Sequence, residues 1–140
     1  MKTKIVILAL TGLGFAVSGR AQPSTTAQSV TRQALLSAHL AHAKSVNRVE
    51  IKSVTLDPGV LAGPHLHPVP VVGVVTAGSI LFQIEGFAEQ HLHAGDAFFE
   101  PADVRILHFD NGTSNLPATF VAFYLLGDAD HDLIHMLKKE

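Results

Sequence analysis

Asp57-Pro58-Gly59, His65-Leu66-His67-Pro68, and Val71 to Val75 running into Ala77-Gly78 form the stretch that decides the fold. Two imidazoles at i and i+2 on an extended strand point to the same face, where together they can grip one metal ion. Asp57-Pro58-Gly59 ends one hydrophobic run, and Val71 begins another that turns at Ala77-Gly78. A second block follows at Ala94-Gly95-Asp96-Ala97-Phe98-Phe99-Glu100-Pro101.

Working outward, the chain reads as short strands separated by turns. Arg48 to Leu56 sets Val49, Ile51, Val54 and Leu56 against Glu50, Lys52 and Ser53 with one slip in the alternation. Val71 to Thr76 and Ser79 to Glu85 are expected as strands joined by Ala77-Gly78, with Ile80, Phe82 and Ile84 on one face. Ala97 to Glu100, Arg105 to Phe109 and Ala118 to Leu126 complete the set, with turn residues between Asp110 and Pro117. Strands of this length, turning every 8 to 12 residues, make a sandwich or barrel. His91 and His93 flank Leu92 and are expected to face outward. Val30 to Leu40 has the period of an amphipathic helix. Asp128 to Lys139 reads as a short C-terminal helix, with acids early and Lys138 and Lys139 late, as the helix dipole favours.

The two blocks resemble those of the cupin superfamily over roughly residues 48 to 126. The resemblance implies an all-β double-stranded β-helix, or jelly-roll, barrel over residues 48–127. Residues 22–47 would then be a lead and arm packing on a neighbouring sheet, and 128–140 the C-terminal helix. Gly59, His65, His67 and Gly78 fall where the first cupin block places them, while Val71 occupies the position of its Glu. In the second block Gly95 and Pro101 match, Asp103 stands at a Gly position, and Ile106 stands at the third metal-binding His. The block's Asn is nearest to Asp110 or Asn111.

Two residues are candidates to complete the site. His108 lies two residues past Ile106, so on a regular strand it shares that face, displaced by about 6 to 7 Å. Glu100 follows Phe98 and Phe99 where a buried strand would carry an apolar residue, and similar small bacterial cupins carry the same Glu-Pro pair. Two His with one carboxylate leave positions open for O2 and substrate, whereas three His suit zinc, iron, nickel or manganese. The expected cofactor is therefore a divalent transition metal: iron, manganese, nickel, copper or zinc. It would be held by His65 and His67 with His108 or Glu100, and Glu100 is also a candidate general base. Val71, Phe82, Phe99 and Ile106 are expected as apolar walls, suiting a small, partly apolar organic molecule.

The resemblance implies either a metal-dependent oxygenase-type enzyme or a module that binds a small molecule or metal without turnover. A metal-free structural oligomer is the third reading. Sheet edges that need covering point to a homodimer.

The first residues bear on compartment. Lys2 and Lys4 precede an apolar run from Ile5 to Val17, followed by Ser18-Gly19-Arg20-Ala21. This is the pattern of a signal peptide over residues 1–21, cleaved after Ala21 for export to the periplasm or beyond. Removing it takes Lys2, Lys4 and Arg20 from the 10 basic residues and none of the 12 acids, so 7 against 12 gives a mature net charge of −5. That balance argues against nucleic acid and against an anionic membrane surface. The chain has no cysteine, so disulfides contribute nothing to its stability. The mature length of about 119 residues makes one domain with a real core.

Overall fold

Ala118, Phe120, Ala122, Tyr124 and Leu126 are buried, and the residues between them are only partly covered. That two-residue period is what a strand shows when one face lies on a core. The computed structural model describes residues 29–138, so the expected signal peptide at 1–21 lies outside the described residues. Residues 29–32 fall with a separate N-terminal unit ending at Arg32 and are exposed. The unit that carries the strands begins at Gln33.

Among the described residues nine strands form two antiparallel sheets. They are β1 (Arg48–Leu56), β2 (His65–Leu66), β3 (Val71–Ala77), β4 (Ser79–Ile84), β5 (Gln90–His93), β6 (Ala97–Glu100), β7 (Ile106–Asn111), β8 (Ala118–Leu126) and β9 (His135–Met136). One sheet has the order β1-β8-β3-β6 and the other β5-β4-β7-β2-β9. Their inner faces enclose the core. Its centre is a cluster of Phe82, Phe98, Phe109 and Phe120, whose rings meet edge-to-face or tilted at 4.7 to 6.4 Å. Each such ring pair contributes about 0.5–1.5 kcal/mol beyond the apolar area it buries.

The turns explain Gly78 and one departure from the cupin pattern. Gly78 joins β3 to β4 at a φ of 74°, and a Cβ there would stand 2.5 Å from the Pro117 carbonyl oxygen. Asp103, at the position expected to be Gly, adopts a left-handed φ of 59° itself. Asp is among the few side chains that tolerate this conformation. Its N–H donates to the His67 carbonyl at 2.8 Å, tying the β6–β7 turn to the histidine segment.

Of the two readings open for Val30 to Leu40, helix or arm, the described residues show the arm, and the expected C-terminal helix is absent among them. Leu35, Leu36 and Ala38 belong to an irregular arm that lines a groove with Val72, Val74 and Phe123 on the outer face of the first sheet. The expected C-terminal helix over Asp128–Lys139 is replaced by a turn and the short strand β9. The Asp130 carboxylate accepts from the Gly127 N–H and pairs with Lys44, closing a turn instead of starting a helix. Further on, His135 and Met136 satisfy the free edge of β2, and backbone groups on a sheet edge are costly to leave unpaired when covered.

Candidate metal centre

The site is built from both sheets. β2 carries His65 and leads into His67, while β6 ends at Glu100 on the opposite sheet. The alternation in β6 buries Phe98 and Glu100 and turns Phe99 outward, so the carboxylate points into the barrel. All three side chains are about 95% buried or more. One donor atom from each lies within 4.8 Å of the others. His65 Nε2 stands 3.5 Å from Glu100 Oε1, and His67 Nε2 stands 3.3 Å from Oε2.

The imidazoles are oriented from behind. His65 Nδ1 faces the Gly63 carbonyl at 2.9 Å, and His67 Nδ1 faces the Leu133 carbonyl. A carbonyl can only accept, so each Nδ1 donates and each Nε2 is left facing Glu100. Such backbone partners fix the tautomer and ring direction that a metal ligand needs.

Electrostatics set the protonation of this cluster. Burial opposes charge on His65, but its contact with Glu100, the Gly63 carbonyl and the nearby Asp110 carboxylate outweigh it and hold its pKa above 6.5. Burial likewise pushes Glu100 up, yet the two imidazoles outweigh it and hold its pKa below 4.5. Even so, Glu100 Oε1 is buried without a hydrogen-bond partner. Leaving a buried carboxylate oxygen unsatisfied is costly. A divalent cation resolves this: two imidazole nitrogens and one carboxylate form a donor set that transition metals take with further positions open. The residues present therefore fit a metal ion.

His108 does not join the cluster. On a regular strand it would share the inward face of Ile106. However, Gln83 pairs with His108 and Ile84 with Ile106, so β7 bulges by one residue at Leu107. The extra residue shifts the phase. Phe109 turns into the core, while the His108 ring is 43% exposed and bonds Asp110 Oδ2 through Nδ1 at 2.7 Å. His91 and His93 are exposed on either side of buried Leu92. His39, His42, His131 and His135 are exposed and outside the cluster.

Beside the three donors lies a cavity of about 160 Å³, walled by Val54, Leu56, Phe109, Phe120, Ala122 and Tyr124 and closed by Ile134 and Met136. Of the expected walls, Val71, Phe82 and Ile106 are buried in the core without lining the cavity, and Phe99 is on the outer face. Tyr124 was not anticipated. Its signal was available: it is the only tyrosine in the chain and falls in phase with Phe120 and Ala122. The Leu133 carbonyl leaves no trace in side-chain pattern.

Comparison with known proteins places this architecture. The cupin domain profile matches residues 52–124. No curated protein matches the chain. Among solved structures, the lyase DddQ of Ruegeria pomeroyi DSS-3, which acts on DMSP, is 22% identical with a TM-score of 0.54, covering 63% of this chain and 42% of its own. An oxalate oxidase in complex with the substrate analogue glycolate is 23% identical with a TM-score of 0.53, covering 64% and 46%. A cupin-like protein from Thermotoga maritima is 20% identical with a TM-score of 0.54, covering 64% of each chain. This chain thus spans less than half the length of the lyase and the oxidase, and at these identities the likeness is one of fold.

Proposed function

This chain belongs to the cupin domain family, and on that premise we propose that it holds a divalent transition metal through His65, His67 and Glu100 and uses it on a small organic molecule. The observation that carries the reading is the buried Glu100 oxygen without a partner, facing two imidazoles already turned toward it. A metal held there supplies a Lewis acid and, if redox-active, electrons for O2 chemistry.

The rest is done by the chain itself. Gly63 and Leu133 hold the imidazoles in register, Glu100 offsets positive charge, and Phe109, Phe120 and Leu56 keep bulk water from the reacting centre. An oxygenase-type activity is the reaction class proposed. It is tested by metal-dependent O2 uptake across a set of small organic acids and alcohols. Uptake abolished by His65→Ala with His67→Ala supports it. Bound metal with no uptake over the whole set supports the second reading, a binding module without turnover. That reading draws on Val71 and Ile106, which place apolar side chains at two positions where cupins carry ligands.

Export through the segment 1–21 is part of the proposal. It rests on Lys2, Lys4, the run Ile5–Val17 and the small residues before Gln22. The mass of the protein recovered from the periplasm checks it, with cleavage after Ala21 expected. A homodimer is proposed as well, because Val49 and Ile51 on β1 and Leu35 and Leu36 on the arm remain exposed. Sedimentation of the mature protein tests that assembly.

A further inference from the structure

The side chains around the cavity divide sharply. His65, His67, Glu100 and Tyr124 are polar, every other lining residue is apolar, and none is Lys or Arg. Three of the four are occupied with one another. The Tyr124 ring stands edge-on to His67 with centroids 5.6 Å apart, and its hydroxyl has no hydrogen-bond partner among the described residues. Burial, with the Glu100 and Glu50 carboxylates, holds its pKa above 10, so it stays a neutral phenol and a donor.

Charge restricts what can enter. A divalent ion held by one carboxylate and two neutral imidazoles leaves a single positive charge on that set, and the Asp110 and Glu50 carboxylates near His65 and Tyr124 oppose any further anion. One anionic head neutralises the charge on that set. A second anionic group would sit against apolar walls without a cation to meet it, which is costly at low dielectric. The small cavity volume, below the roughly 300 Å³ at which drug-sized pockets begin, limits the ligand to a few carbon atoms.

We infer that the cavity takes a small monocarboxylate, with its head at the His65–His67–Glu100 centre accepting a hydrogen bond from the Tyr124 hydroxyl and its short apolar tail against Leu56, Phe109 and Phe120. This rests on the metal-binding reading above. Tyr124 here binds and selects the substrate and contributes no metal ligand. A dicarboxylate of similar length is discriminated against because the pocket carries no basic side chain.

The test uses the full mature chain loaded with Zn2+, titrated calorimetrically with butyrate and with succinate, in wild type and Tyr124→Phe. Zinc content is measured in both proteins beforehand. Equal zinc content is expected. Butyrate should bind the wild type at least about tenfold more tightly than Tyr124→Phe, as befits loss of a hydrogen bond to a charged group. Succinate should bind the wild type at least about tenfold more weakly than butyrate. Equal butyrate affinity in the two proteins, no butyrate binding at all, or succinate binding as tightly as butyrate overturns the inference while leaving the metal site standing. A wild type that takes up no zinc overturns the metal reading and this inference together.

Discussion

Val71 and Glu100 face one another across the β3–β6 ladder, and both side chains are buried. Residues opposed in this way have Cβ atoms about 4.5–5.5 Å apart. The position where the cupin pattern carries a Glu is Val71, and the neighbouring strand supplies a carboxylate across the same rung. In this chain the acid stands on the neighbouring strand, within the same site.

On the proposed reading, Glu100 is the acid that holds the metal. Glu100→Gln keeps the shape and removes the charge, and it should weaken metal affinity by more than the 10–100-fold that follows loss of a group merely supporting a ligand. Competition with a metallochromic chelator measures it. Placing the acid on β3 instead, with Val71→Glu and Glu100→Val together, should recover part of the loss. Wild-type affinity in Glu100→Gln would remove the carboxylate from the site.

Asp110 and His108 should behave differently although they are bonded to each other. Asp110 Oδ1 accepts from the Ala62 N–H at 2.8 Å, fixing the loop whose next residue, Gly63, orients His65. Asp110→Ala should cost about 1–3 kcal/mol of stability and about tenfold in metal affinity. His108→Ala removes a half-exposed ring and should leave metal affinity within about twofold. Urea unfolding and metal titration of the two variants separate them, and a large affinity loss in His108→Ala would return that histidine to the site.

The metal-free and metal-loaded proteins should respond to pH with opposite sign. His65 is raised above 6.5, so its contribution is fully present below that pH and is lost as pH rises through its folded value. Glu100 is depressed below 4.5, so its contribution is present above that pH and is lost as pH falls through its folded value. Through this pair the metal-free protein is most stable between about pH 4.5 and 6.5. Metal must displace the His65 proton, so affinity climbs as pH rises toward the folded pKa of His65, above 6.5, and levels off beyond it. Melting temperatures recorded with and without chelator should diverge across that range, and parallel curves would contradict the coupling.

Ile106 is fully buried and pairs directly with His65. Ile106→His should therefore raise metal affinity by adding a donor beside the existing three, while lowering the stability of the metal-free chain. The cost arises because an imidazole replaces packed core and must desolvate. Equal affinity would mean that the rung opposite His65 does not reach the ion.

Local pattern carried much of this structure. His65 and His67 were legible because an i, i+2 spacing on a strand is short-range geometry. Glu100 stood out as a charge after Phe98 and Phe99, where a buried strand would carry an apolar residue. His108 was misplaced because the bulge at Leu107 arises from how β7 pairs with β4, a relation absent from the sequence of β7 itself. The segment from Asp128 has the charge order of a helix, but β2 offered it an open edge more than sixty residues away in sequence. Phe99 was assigned to the wrong face of a four-residue strand, where neighbouring aromatics give alternation nothing to distinguish. Non-local pairing decided the place of His108 and the path of the C-terminal segment.

The most direct test of the metal centre is elemental analysis of the mature protein, purified without affinity tag or chelator, beside the variant carrying both His65→Ala and His67→Ala. About one iron, manganese, nickel, copper or zinc per chain is expected in the wild type and none in the variant. A wild type that carries no metal and takes none up when it is supplied would contradict the proposed metal centre.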